Sequence, residues 1–163
     1  AEGSKDGESI GGLVDCSISG GPAGWGEPVF DKLHADLGKA ILSIPGCRGF
    51  QIGSGFAAAA MLGSRHNDPF RISDGRICTT TNYSGGIQGG ISNGETVRFQ
   101  AAFKPTPSIR LPQQTVTKDG SPVQLEIRGR HDPCIAIRAV PVVEAMAWIL
   151  LADHCLRHRA VTA

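Results

Sequence analysis

Residues 95–103, ETVRFQAAF, decide how this chain is to be read. Val97, Phe99, Ala101 and Phe103 fall on one side, and Thr96, Arg98 and Gln100 on the other. A period of two is the signature of a β-strand with one face in a core. Immediately before it runs TNYSGGIQGGISNG, residues 81–94, with Gly85, Gly86, Gly89 and Gly90 inside six positions. Lacking a Cβ, such a segment takes positive φ and lets another molecule approach its backbone, so it reads as a ligand floor. Immediately after the strand runs KPTPS, residues 104–108. Two prolines stiffen this bend, and its free donors are an ammonium, two hydroxyls and a few amides. A rigid donor-rich bend beside a glycine loop suits a phosphate.

The 163 residues suffice for one domain with a real core. Sixteen Lys+Arg against fifteen Asp+Glu leave no global field to recruit nucleic acid or an anionic membrane, so any basic site is local. The longest apolar run, Ala145 to Ala152, is too short to span a bilayer, and AEGSKDGESI has no signal-peptide character. Five scattered cysteines without a C-x-x-C pair argue against a disulfide framework or zinc knuckle and read as reduced thiols. A soluble cytoplasmic protein is the expectation.

Residues 1–10 read as frayed, and the absence of an initiating methionine fits a segment that begins partway through a longer protein. Leu13–Ser19 alternates as a half-buried strand, with Val14, Cys16 and Ile18 inward. Pro28 is expected to open a helix carrying Phe30, Leu33, Leu37, Ala40 and Ile41 on one stripe, closed by Ser43-Ile44-Pro45-Gly46. Phe50–Ile52 is a short strand. Gly53-Ser54-Gly55-Phe56-Ala57-Ala58 matches a dinucleotide fingerprint, but residues 63–69 leave too little chain for a βαβ crossover, so small residues packing a bend are the better reading. Asp74-Gly75 marks one hairpin over 71–78. A second is expected over Thr115–Arg128, with Val123, Leu125 and Ile127 inward. Pro141 is expected to start a last helix, apolar all round and therefore covered on both sides. His154, His158 and Asp153 lack a second ligand pair and do not make a metal site.

Arg128, Arg130, His131, Asp132 and Arg138 form a second dense segment. Arginines there could hold an anionic substrate, with Asp132 as the nearby base. A surface ion-pair cluster capping the final helix is the equal alternative.

SGGIQGGISNG, FKPTPSI and GRHDPCIAIRAVPVVEAM resemble the chorismate synthase family, and GGPAGWGEPVFDKLHADLGKAILSIPG and GFQIGSGF match it in order and spacing. The resemblance covers nearly the whole chain as one domain, residues 1–163, corresponding to the family's C-terminal portion. The N-terminal half, with its two catalytic histidines, an arginine-rich substrate region and nicotinamide contacts, has no counterpart here.

The resemblance implies an α+β fold of β-α-β sandwich type, helices between antiparallel sheets, and assembly as a homotetramer. It implies elimination of phosphate from 5-enolpyruvylshikimate 3-phosphate to give chorismate with reduced FMN, NADPH serving only to reduce the flavin. Carried over residue by residue, the FMN contacts are Pro45, Gly46, Gly89, Lys104, Pro105, Thr106, Pro107, Ser108 and Arg130, with Arg130 also toward substrate. Asp132 takes the position of the family's aspartate implicated in the proton-removal step, directly or through the flavin. No histidine receives a catalytic role and no metal is implied. The segment alone is expected to be inactive. A non-enzymatic module that binds a phosphate-bearing ligand or scaffolds an assembly is the alternative.

Overall fold

The computed structural model describes residues 7–162. Strand β1 is Gly12–Ile18, helix α1 Leu33–Leu42 and strand β2 Cys47–Ile52. A 3-10 helix over Gly55–Ala60 and the single turn α2, Gly63–His66, lead to hairpin β3 (Phe70–Ser73) and β4 (Arg76–Thr79). The small hairpin β5 (Ile87–Gln88) and β6 (Ile91–Ser92) precedes β7, Val97–Phe103. Hairpin β8 (Gln113–Val116) and β9 (Pro122–Leu125) precedes α3, Ala136–Thr162.

The expected strand is the centre of the molecule. β7 lies between β1 and β2, antiparallel to both, in the order β1-β7-β2. Its residues alternate in burial as the sequence does, with Val97, Phe99, Ala101 and Phe103 all buried. The register sets Cys16 and Ile52 opposite Phe99, and Val14 and Phe50 opposite Ala101, so the apolar sides of three strands coincide. Against that face pack Leu33, Leu37 and Ile41 of α1 and Ala139, Val143, Ala147 and Leu151 of α3. The fold is α+β with antiparallel pairing throughout, one helical layer on one sheet.

Several boundaries differ from expectation for identifiable reasons. α1 begins at Leu33 and not at Pro28, and Phe30 is exposed. In a helix starting at Pro28 the Leu33 N–H would bond to residue 29; instead it donates to the Gly90 carbonyl at 2.8 Å. β2 starts three residues earlier than expected, with a bulge between Cys47 and Gly49. α3 starts at Ala136 and carries Pro141 inside it. The bond that Pro141 cannot make would go to the Ile137 carbonyl, and Ile137 is exposed to water. In the β8–β9 hairpin, Val123 and Leu125 are exposed, because each strand pairs only with the other.

The apolar run 145–152 is part of a 27-residue helix that is long and apolar enough to cross a membrane by length and composition, with mean hydropathy 1.5 over its best window. One stripe of it packs on the sheet and on α1, where the buried His154 sets Nε2 3.1 Å from Asp36 Oδ2. Its other side, including Ile137, Trp148, Ile149 and Leu156, is exposed within this chain, so coverage on both sides is not seen here. The dinucleotide reading fails as expected, since β2 and β7 are antiparallel and no parallel crossover follows. The expectation of a frayed N-terminus concerns, in residues 1–6, positions outside those described. From Gly7 onward the segment is tied down: Arg110 N–H donates to the Gly7 carbonyl, and Ile10 N–H to the Pro133 carbonyl.

Candidate functional site

The two phosphate-compatible segments of the sequence stand at opposite ends of β7. Six residue steps of about 3.3 Å separate those ends by roughly 20 Å. The glycine floor and the lysine bend are thus not side by side in one chain, as the sequence suggested.

At the first end, Asp68 organises the loop. Its Oδ1 accepts from Thr81 Oγ1 at 2.7 Å and from the Tyr83 N–H at 2.8 Å, and its Oδ2 accepts from the Ser84 N–H at 2.8 Å. Burial by itself raises this carboxyl's pKa, but the Ser84 N–H, the Thr81 hydroxyl and the Tyr83 N–H outweigh it and hold the group below the ordinary carboxylate range. Gly53 and Gly85 then cross with almost no gap: a Cβ on Gly53 would lie 2.1 Å from the Tyr83 carbonyl oxygen, and one on Gly85 2.5 Å from the Gly53 nitrogen. Ser54 ties the crossing to the one-turn helix, its Oγ 2.9 Å from His66 Nε2 and donating to the Tyr83 carbonyl at 3.1 Å.

Gly89 and Gly90 form the two-residue tip between β5 and β6, with φ of 62° and 95°. Positive φ at both positions is the requirement of a type I′ hairpin turn. A Cβ on Gly89 would meet nothing within 4 Å, so this residue faces open space. That space is a cavity of about 540 Å³ with Lys32, His34, Phe50, Phe56, Gly89 and Gly90 among its walls.

At the second end, the Lys104 N–H donates to the Gly46 carbonyl at 2.9 Å, which brings Pro45-Gly46 beside the bend. Gly46 has φ of 86° and abuts the Ile135 side chain. Ser9 Oγ donates to the Thr106 carbonyl at 2.6 Å, and a cavity of about 70 Å³ is lined by Ser9, Ser108, Arg110, His131 and Asp132. Thr106 Oγ1 and His131 Nε2 are buried here without a hydrogen-bond partner among the described residues. Asp132 Oδ1 lies 3.1 Å from Arg138 Nη2, a partly exposed pair across the start of α3. Its geometry fits the helix-capping alternative, and it also fixes the direction of the Asp132 carboxylate. Arg128 and Arg130 are exposed.

Pro45, Gly46, Lys104–Ser108 and Asp132 are thus gathered at one end of β7, with Arg130 on the adjoining exposed loop, while Gly89 stands at the other end. Among the described residues, no cluster of His, Cys, Asp and Glu is placed to hold a metal. Sequence reasoning missed Asp68 and Lys32. Asp68 sits in what reads as a polar turn, and its three donors lie 13 to 16 residues onward. Lys32 reads as one charge of a solvated helix.

A family model described as chorismate synthase matches residues 1–156. The chorismate synthase of Opitutus terrae is 59% identical over 156 residues, covering 96% of this chain and 43% of that protein. That of Methylacidiphilum infernorum is 57% identical over 157 residues, again covering 96% and 43%. A crystal structure described as chorismate synthase superposes with a TM-score of 0.77 at 29% identity, covering 96% of this chain and 40% of that one. The chain spans less than half the length of these relatives.

Proposed function

Since the chain belongs to the chorismate synthase family, we propose that it supplies the flavin-binding and proton-removing part of a lyase that forms chorismate. The substrate in this reading is 5-enolpyruvylshikimate 3-phosphate, and the cofactor is reduced FMN, with NADPH needed only to reduce the flavin. The observation that carries it is the convergence of Gly46, Lys104–Ser108 and Asp132 on one end of β7, with a threonine hydroxyl buried there and unpaired among the described residues.

The residues present fit a phosphate-bearing cofactor. Lys104 offers a charge-assisted donor, and the two prolines of the bend fix the backbone that carries the Thr106 and Ser108 hydroxyls. A buried hydroxyl without a partner costs free energy that a bound acceptor would recover. Gly89, facing open space at the other end of the strand, admits close backbone approach. When bound, the reduced flavin supplies electron density that lets the phosphate leave and is then regained. Asp132 receives the ring proton at its carboxylate, and Arg138, 3.1 Å away, holds that carboxylate in place and balances its charge. Arg130 draws the anionic substrate toward the same corner.

Titration of the chain with oxidised and reduced FMN, alone and with the N-terminal half of a relative, tests the reading. Binding is expected in at least the combined state, and turnover only there. Asp132→Asn should abolish that turnover while leaving FMN affinity within a few-fold. Failure to bind FMN in both states, or retained turnover in the variant, would sink the assignment. Homotetramer formation belongs to the same proposal and is supported by the exposed apolar side of α3 and by the family relationship; a cytoplasmic setting is proposed with it.

A further inference from the structure

The three-stranded sheet has two outer edges, and they differ. β2 carries a bulge between Cys47 and Gly49 and an exposed Arg48, both of which discourage a further strand. β1 has neither safeguard: its seven residues pair with β7 in unbroken register and include no proline, lysine or arginine. In an antiparallel pair every second residue turns its N–H and C=O away from the partner. From Leu13 to Ser19, no backbone group of the described residues outside β7 bonds to them, so β1 presents a regular row of free donors and acceptors. Only the start of the strand is covered. There the Ile10 N–H donates to the Pro133 carbonyl at 2.8 Å, and Cys134 Sγ stands 3.7 Å from the Gly11 carbonyl oxygen. The open length runs from Val14 to Ser19, room for one short strand.

Beside this edge runs a groove of about 330 Å³ between β1 and α3, floored by Val140, Val143, Ala147, Trp148 and Leu151. Alternate side chains of an added strand would enter it, the arrangement by which strand addition gains specificity. Asp15 and Glu144 line the groove, and no Lys, Arg or His does. Burial raises the pKa of the Cys16 thiol, and Glu144 raises it further, which sets that carboxylate close to the edge. A second copy pairing through the same edge about a two-fold axis would bring two Asp15 and two Glu144 to one seam. Like charges facing each other across a strand pair are destabilising. The edge therefore selects an extended segment that alternates apolar residues and carries a cation. More than half the length of each curated relative lies outside the region that this chain matches, which is a source of such segments.

We propose that the open edge of β1, from Val14 to Ser19, receives a strand from the part of the family's polypeptide that has no counterpart in this chain. Its inward side chains fill the groove against α3, and a Lys or Arg on it faces the Asp15–Glu144 rim. The proposal rests on the family relationship and not on the flavin assignment, and its test contains no flavin.

Hydrogen exchange read amide by amide tests it. In the chain alone, alternate amides of Val14–Ser19 should exchange fast and those between them slowly. Synthetic peptides of about ten residues, tiling the part of the Opitutus terrae relative without a counterpart here, are then added in turn. One peptide with alternating apolar residues and a Lys or Arg should slow the fast amides by about ten-fold or more at saturation, leaving the edge of β2 unchanged. Val140→Asp, at a half-exposed position of the groove floor, should weaken that peptide by about ten-fold or more, and Glu144→Lys by a few-fold. Unchanged protection of the β7 amides shows that both variants keep the fold. The inference is overturned if no peptide slows these amides, if a scrambled peptide of the same composition slows them equally, or if neither variant weakens binding. Slowing that appears on raising the concentration of the chain alone would assign the edge to a second copy and overturn it as well.

Discussion

Asp68 carries more of the glycine loop than any other side chain, since its two oxygens satisfy the Thr81 hydroxyl and the Tyr83 and Ser84 amides at once. The carboxyl is held below the ordinary range in the folded chain. Its contribution is therefore fully present above the unfolded value of about 4 and is lost as pH falls through the lower folded value. Asp68→Asn should reduce stability at neutral pH by about 2 kcal/mol, since hydrogen bonds to a charged acceptor are lost and an amide N–H₂ is turned on backbone donors. Denaturant unfolding at pH 7 and at pH 3 checks this. The difference between variant and parent should shrink at the lower pH, and equal stability at pH 7 would refute the role. None of this was legible in the sequence, where Asn67-Asp68-Pro69 reads as a turn and nothing marks its distant donors. The bend Lys104–Ser108 was legible, because proline and lysine declare stiffness and charge locally.

Among the elements, β7 could be read completely, because a strict period of two states both the structure type and the buried face. The start of α1 could not, because a carbonyl from residue 90 captures the N–H that would have extended the helix backward. α3 is the instructive intermediate case. Its apolar residues surround the helix, yet only the stripe through Val143, Ala147 and Leu151 meets the core of this chain. The pattern specifies two contacts and the chain supplies one. Leu151→Ala should cost about 2–5 kcal/mol, the range for emptying a packed core site. Ile149→Ala, on the exposed side, should change the stability of the dilute chain by less than about 0.5 kcal/mol. A loss at Ile149 comparable to that at Leu151, measured by thermal or denaturant unfolding, would mean that this side is already covered.

For the molecule as a whole, that uncovered side is expected to act as an association surface. Trp148, Ile149, Leu156 and Ile137 are each at least 63% exposed, more apolar surface on one helix than a stable monomer usually leaves to water. Sedimentation is expected to show a weight-average mass that rises with concentration. A strictly monomeric species at every concentration would contradict this. Asp36 and His154 join α1 to α3 away from that face, so association need not disturb the pairing of the helices. Both candidate poles hang from the ends of β7, which gives their separation a granular character. Adding or removing one residue in that strand would change the spacing by about 3.3 Å and also turn every later side chain to the opposite face. A single inserted residue can be absorbed only as a bulge of the kind β2 carries between Cys47 and Gly49; regular lengthening of this spacer runs in steps of two residues, matched by insertions in β1 and β2. The distance between the glycine turn and the lysine bend is accordingly a quantity that point substitution cannot tune.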